Sequence, residues 1–139
     1  MLVRLLYASR SDQEISNALI EEVLSAAQVH NPENGITGLL CYGNNVFVQA
    51  LEGGREQVNR LFQLLAKDPR HHDVTILQYQ EIEQRRFANW SMARVPLDKL
   101  NMSQLLRYSE TATLDPFSLS GACTALLLEA LADAGAKSR

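Results

Sequence analysis

The chain opens on an alternation of period two. Val3, Leu5 and Tyr7 fall on one side, with Leu2, Arg4, Leu6 and Ala8 on the other, which predicts a β-strand. Ser11 and Glu14 stand at capping-box spacing, so a helix is expected from about Asp12. Its apolar face carries Ile15, Leu19, Ile20, Val23, Leu24 and Ala27, and Asn31-Pro32 with Asn34-Gly35 should end it. Residues 36–42 and 46–51 then read as two strands of a hairpin around Gly43-Asn44-Asn45. The second strand is apolar on both faces, with Phe47 and Leu51 opposite Val46, Val48 and Ala50, so it should lie mid-sheet and be covered from two directions. Gln49 shares the Phe47–Leu51 face.

Gly53-Gly54 closes that strand, and a second helix is expected over residues 55–67, burying Val58, Leu61, Phe62 and Leu65. Residues 74–82 and 87–95 read as two further strands joined by the polar turn 83–86. Pro96 marks the end of the sheet. A short helix over residues 98–107 and a longer one after Asp115-Pro116 follow. The longer one aligns Leu119, Cys123, Leu126, Leu127, Ala130 and Leu131 on one stripe and leaves Leu128 off it, and the tail from Gly135 should fray. The order β-α-β-β-α-β-β predicts an α+β, ferredoxin-like mixed sheet, with two helices on one face and the C-terminal helices on the other.

Composition narrows the function classes. The 139 residues are 46% hydrophobic and 21% charged, those of an ordinary folded domain. A net charge of -3 argues against DNA as a partner, because phosphate binding needs a cationic face. No apolar run is long enough for a membrane span, and the N-terminus lacks signal-peptide organisation, so the expected compartment is the cytoplasm. The two cysteines, Cys41 and Cys123, lie among apolar neighbours and read as reduced core thiols.

Nothing in the chain has convincing catalytic spacing: there is no nucleophile elbow, P-loop, dinucleotide fingerprint or zinc pattern. His71-His72 are adjacent and point apart, so no metal is expected. Three polar residues on apolar elements say more. Tyr7 and Gln49 lie on core-type faces of two strands, and Asn31 stands at the C-terminal end of the first helix. A buried amide must find partners or cost about 1–3 kcal/mol. Two readings stay open at this point: Tyr7 and Gln49 satisfy each other in the core while Asn31 caps a turn, or the three face a ligand.

Five strings in order carry a resemblance. Leu5-Leu-Tyr-Ala-Ser9, Asn31-Pro-Glu-Asn-Gly-Ile-Thr-Gly-Leu-Leu40, Phe47-Val-Gln-Ala-Leu-Glu-Gly53, Lys67-Asp-Pro-Arg-His71 and Trp90-Ser-Met92 together resemble the BLUF family of flavin-based blue-light sensors. The resemblance covers residues 1–95, which would be the flavin-binding domain, with residues 96–139 as a helical extension packing on the sheet. The extension resembles that of short, stand-alone members, so the chain itself is not expected to be an enzyme.

The resemblance implies FAD as cofactor, held between the first two helices. It makes Tyr7 the phenol that exchanges an electron and a proton with the excited flavin, and Gln49 the amide relaying hydrogen bonds to it. Asn31 would hold the ring's carbonyl and imide edge, Arg70 and His71 the other carbonyl and the ribityl–phosphate side, and Val23 and Leu65 the two ring faces. His30 stands where many relatives carry a second asparagine, so it is either a ring-edge residue or a helix-end histidine favoured by the dipole. Trp90 and Met92, at the same strand parity, are expected on one face as switch candidates. The implied partner is a downstream signalling protein, with a homo-oligomer assembled through the last helix, where Leu126, Leu127, Leu128 and Leu131 exceed one stripe. Two other readings are a light-independent ligand-binding domain and a small acyl-phosphate hydrolase using Arg55 or Asn59.

Overall fold

In the computed structural model, which describes residues 1–136, five strands form one sheet in the order β4-β1-β3-β2-β5. The strands are β1 (Leu2–Ser11), β2 (Thr37–Gly43), β3 (Val46–Gly54), β4 (His71–Ile82) and β5 (Ala93–Pro96), and only the β2–β5 pair is parallel. Helices α1 (Asn17–Glu33) and α2 (Arg55–Ala66) pack on one face through Leu19, Ile20, Leu24 and Val58. A short α3 (Met102–Leu106) and the longer α4 (Gly121–Gly135) follow, and α4 lays Leu127, Leu128 and Leu131 on the opposite face. This is the expected ferredoxin-like α+β arrangement. β3 lies between β1 and β2 and feeds both cores, Phe47 and Leu51 on the α1/α2 side and Val46, Val48 and Ala50 on the α4 side. The hairpin closes through Asn44 and Asn45, at φ 51° and 61°, a left-handed pair that asparagine tolerates and that matches the twist of the strands.

Several boundaries differ from expectation, each for a local reason. Ser11 does not cap α1. It belongs to the sheet, paired with His71, and its hydroxyl closes a turn with Gln13, so the helix waits for Ser16, whose Oγ accepts from Leu19 N. The helix also runs through Pro32 to Glu33. Proline there costs one bond in a final turn whose carbonyls are used again: Asn31 O accepts from Asn34 N and Ile36 N, and Pro32 O from Gly35 N. Asn31 is therefore inside the helix.

The expected strand over residues 87–95 shrinks to β5, because the ladder with β2 reaches only from Leu39 to Tyr42. β4 instead starts three residues early, at His71. The helix expected over residues 98–107 is a 3-10 turn at Leu97–Lys99 followed by α3. Asp115 caps another 3-10 turn, Pro116–Ser118, while α4 takes Ser120 as its cap. The stripe of α4 is corrected as well: Leu128 is 1% exposed and on the sheet, whereas Leu126 is 55% exposed. The sheet therefore takes Leu127, Leu128 and Leu131 of the apolar surplus and leaves Leu126 outside. Of the tail expected to fray from Gly135, Gly135 is the last residue of α4 and Ala136 caps it, while residues 137–139 lie outside the described residues.

Candidate functional site

The antiparallel register of β1 and β3 sets Tyr7 directly opposite Gln49. Both side chains point to the α1/α2 face, where each is nearly buried, and the Tyr7 hydroxyl donates to Gln49 Oε1. Gln49 Nε2 donates to Met92 Sδ at 3.4 Å. A carboxamide has two N–H donors, so one remains for an acceptor in the space above. Burial raises the pKa of Tyr7 well above the ordinary 10.0, and the nearby negative charge of Asp68 adds to this. The phenol is thus a proton donor held neutral.

Above this pair, α1 and α2 stand apart and leave two adjoining cavities, which share Val23, Gln49, Leu65 and Arg70. Val23 comes from α1 and Leu65 from α2, so the expected apolar pair does border the cleft from both helices. At one end Asn31, 3% exposed, donates from Nδ2 to Ser91 O at 2.7 Å, and its amide oxygen is left for a donor in the cleft. His30 borders the same end yet is exposed in the last turn of α1, so it has features of both readings.

At the other end Arg70 is gripped by Asp68, Nε to Oδ1 at 3.0 Å and Nη2 to Oδ2 at 2.5 Å, and reaches Glu22 at 3.3 Å. The guanidinium beside it holds the Asp68 carboxyl below the usual 3.8. His71 borders the cleft but spends both ring nitrogens on protein. Nδ1 meets Ser9 Oγ at 2.7 Å and Nε2 meets Leu65 O at 2.5 Å, and since a carbonyl only accepts, Nε2 carries the proton. Its ring sits edge-on to Tyr7 at 6.3 Å, a strut between β1, β4 and α2 rather than a free donor.

Trp90 and Met92 do not share a face. The backbone from Phe87 to Met92 is irregular, so strand parity does not hold there. Met92 is buried in the α1/α2 core against Gln49, whereas Trp90 stacks on Phe87 in the α4 core. Gly38 makes the Met92 seat possible: its N donates to Trp90 O at 3.0 Å, and a Cβ there would stand 3.1 Å from Met92 Cε and 2.1 Å from Ala50 O. The sequence reading missed Ser9, Asp68 and Ser91. Ser9 was findable as a hydroxyl at the parity of Tyr7, and Asp68 as the carboxylate beside Arg70; Ser91 acts through its backbone and leaves no sequence signal.

An apolar slot with one amide donor, one amide acceptor and a guanidinium around its rim fits a flat heteroaromatic ring with carbonyl and imide edges. Arg55 and Asn59 are elsewhere, paired with Glu81 and Tyr79 on the exposed side of α2. Among the described residues no cluster of His, Cys, Asp or Glu could hold a metal, and no helix is long and apolar enough to cross a membrane.

The comparisons agree with this geometry. Residues 2–93 match the family described as BLUF, sensors of blue-light using FAD. The blue light- and temperature-regulated antirepressor BluF of Escherichia coli (strain K12) is 35% identical over 94 residues, 66% of this chain but 23% of that protein. The photoactivated adenylate cyclase subunit beta of Euglena longa is 33% identical over 92 residues, 66% of this chain and 11% of that one. The chain thus spans less than a quarter of the length of these relatives. Over its whole length it superposes on the photo-activated state of BlsA, which covers 100% of both chains at 32% identity with a TM-score of 0.87. The slot between α1 and α2, the Tyr7–Gln49 pair on its floor and the family match over residues 2–93 lead to one conclusion: this chain belongs to the BLUF family of blue-light sensors that use FAD.

Proposed function

We propose that light reaches this protein as a change in what Gln49 donates to and accepts from, and that the Tyr7–Gln49 hydrogen bond carries the change. FAD bound between α1 and α2 supplies the blue-light absorption and a transient electron acceptor. Tyr7 gives up one electron and passes its proton to Gln49 Oε1 along the existing bond, then recovers both, so no net reaction occurs. Gln49 is the part that does not return at once. Turning the amide exchanges the atoms that face Tyr7 and the cleft and ends donation to Met92, whereas tautomerising it exchanges donor and acceptor roles with the atoms in place. Asn31 and Arg70 hold the two ends of the ligand, and Val23 and Leu65 exclude water from its faces.

In this reading residues 1–95 sense and residues 96–139 transmit. The support is that the family match stops at residue 93 while α4 covers the sheet face opposite the cleft. The chain works as a sensor and carries out no reaction of its own, and its partner is a downstream protein in the cytoplasm. Two relatives are named as a blue light- and temperature-regulated antirepressor and a photoactivated adenylate cyclase subunit, which supports a signalling role. A homo-oligomer belongs to the same proposal; Met102, Leu106 and Leu126 are exposed apolar side chains available to it. The deciding experiment is the absorption spectrum of the purified protein before and after blue light. A flavin band that moves reversibly to the red supports the reading, whereas a colourless protein or an unmoved band refutes it.

A further inference from the structure

Glu52 is a fully buried carboxylate, 0% exposed, on the α4 side of β3. Such a group persists only when its charge is paired and its lone pairs are used. Here Arg4, opposite it on β1, gives Nε at 2.9 Å and Nη2 at 2.8 Å, and the backbone N–H groups of Arg86 and Phe87 donate at 2.9 and 2.7 Å. The carboxylate thus takes over the backbone of a segment that has left the sheet ladder. That segment crosses from one core to the other. Phe87 and Trp90 stack under α4, and a few residues on, Ser91 O receives Asn31 while Met92 Sδ receives Gln49. The Arg86 side chain meanwhile pairs with Glu129 on α4.

We propose that Glu52 is a positioning residue for the light-sensing site on the opposite sheet face. Its carboxylate fixes the start of the 86–92 segment, the segment's other end fixes Met92 and Ser91 against Gln49 and Asn31, and the Arg86–Glu129 pair ties the same segment to α4. The arrangement at Gln49 and the docking of α4 are then one linked equilibrium, so each biases the other by the same factor. This rests on the proposed function for its output, but the positional part does not require light.

The test uses the full-length, flavin-loaded protein with a 13C label on the methionine methyls. Arg86→Gln cuts the tie to Glu129 and keeps the backbone donor to Glu52. Glu52→Gln removes the charge, and the Arg4→Met/Glu52→Gln pair removes the stranded cation that could otherwise unfold the chain. In the dark, each variant is expected to move the Met92 methyl resonance. Under the light cycle, dark recovery should change about fivefold or more, and Arg86→Gln should abolish light-dependent hydrogen exchange in α4 while keeping the red shift. Variants that lose thermal stability yet keep the Met92 resonance, the recovery rate and the α4 response overturn the proposal, since a merely structural carboxylate would do that. A wild-type protein that does not cycle, with a Met92 resonance that still moves in Arg86→Gln, refutes the photoreceptor reading and leaves the positioning role supported.

Discussion

Tyr7 and Gln49 face each other across adjacent strands, phenol hydroxyl to amide oxygen, at the floor of the cleft between α1 and α2. That one bond joins the group able to lose an electron and a proton to the group able to record the loss.

Gln49→Leu keeps the volume and removes both ends of the relay. The Tyr7 hydroxyl is left without its acceptor, at a cost of about 1–3 kcal/mol. Flavin should stay bound and the light-induced red shift should vanish, as absorption difference spectra will show. A normal shift in this variant would remove Gln49 from the relay.

Tyr7→Phe should retain the packing against Phe62 and His71 and lose the photocycle. In the unaltered protein the raised pKa keeps the phenol protonated past pH 10.0, so the red shift should persist up to and beyond that pH. Loss of the shift near the ordinary tyrosine value would contradict this, as would an intact cycle in Tyr7→Phe.

Met92→Leu takes away the sulfur that accepts from Gln49 and keeps the volume. With a bond worth about 1 kcal/mol gone, dark recovery should change by about fivefold. Trp90→Phe, acting in the other core, should leave the flavin band in place. Equal spectral effects from both variants would mean that they share the site after all.

Asp68 has a folded-state pKa depressed chiefly by its hydrogen bond to Arg70. Its contribution to stability is therefore present above the unfolded value of 3.8 and is lost as pH falls through the lower folded value. Asp68→Asn should be less stable than the parent at pH 7, and thermal midpoints of the two should converge in acid below 3.8. A difference that is the same at both pH values would show that the pair contributes through packing alone.

On α4, Leu128→Ala should cost about 2–5 kcal/mol, because it empties a fully buried position. Leu126→Ala, at an exposed position of the same helix, should stay within about 0.5 kcal/mol. Chemical denaturation distinguishes the two, and equal costs would contradict the orientation of the helix.

The sequence alone determined the order of the strands and main helices and the faces of β1 and β3. Alternation is a local property: a residue's parity on an extended chain fixes its side, so Tyr7, Gln49 and the two-sided β3 were legible before any fold was known. The five strings carried the family for the same reason, since their order and spacing are linear facts. What parity could not reach was any place where the backbone leaves regular geometry. Trp90 and Met92 were set on one face because a strand was assumed beneath them; in the structure the ladder stops at β5 and Glu52, far off in the chain, holds the backbone of Arg86 and Phe87 instead. Helix ends were decided in the same way, with Ser11 drawn into the sheet by its partner His71 and the last turn through Pro32 closed by Asn34, Gly35 and Ile36. On α4 the choice between Leu126 and Leu128 was tertiary too, because a helix apolar on more than one side has no preferred face until a sheet is laid against it.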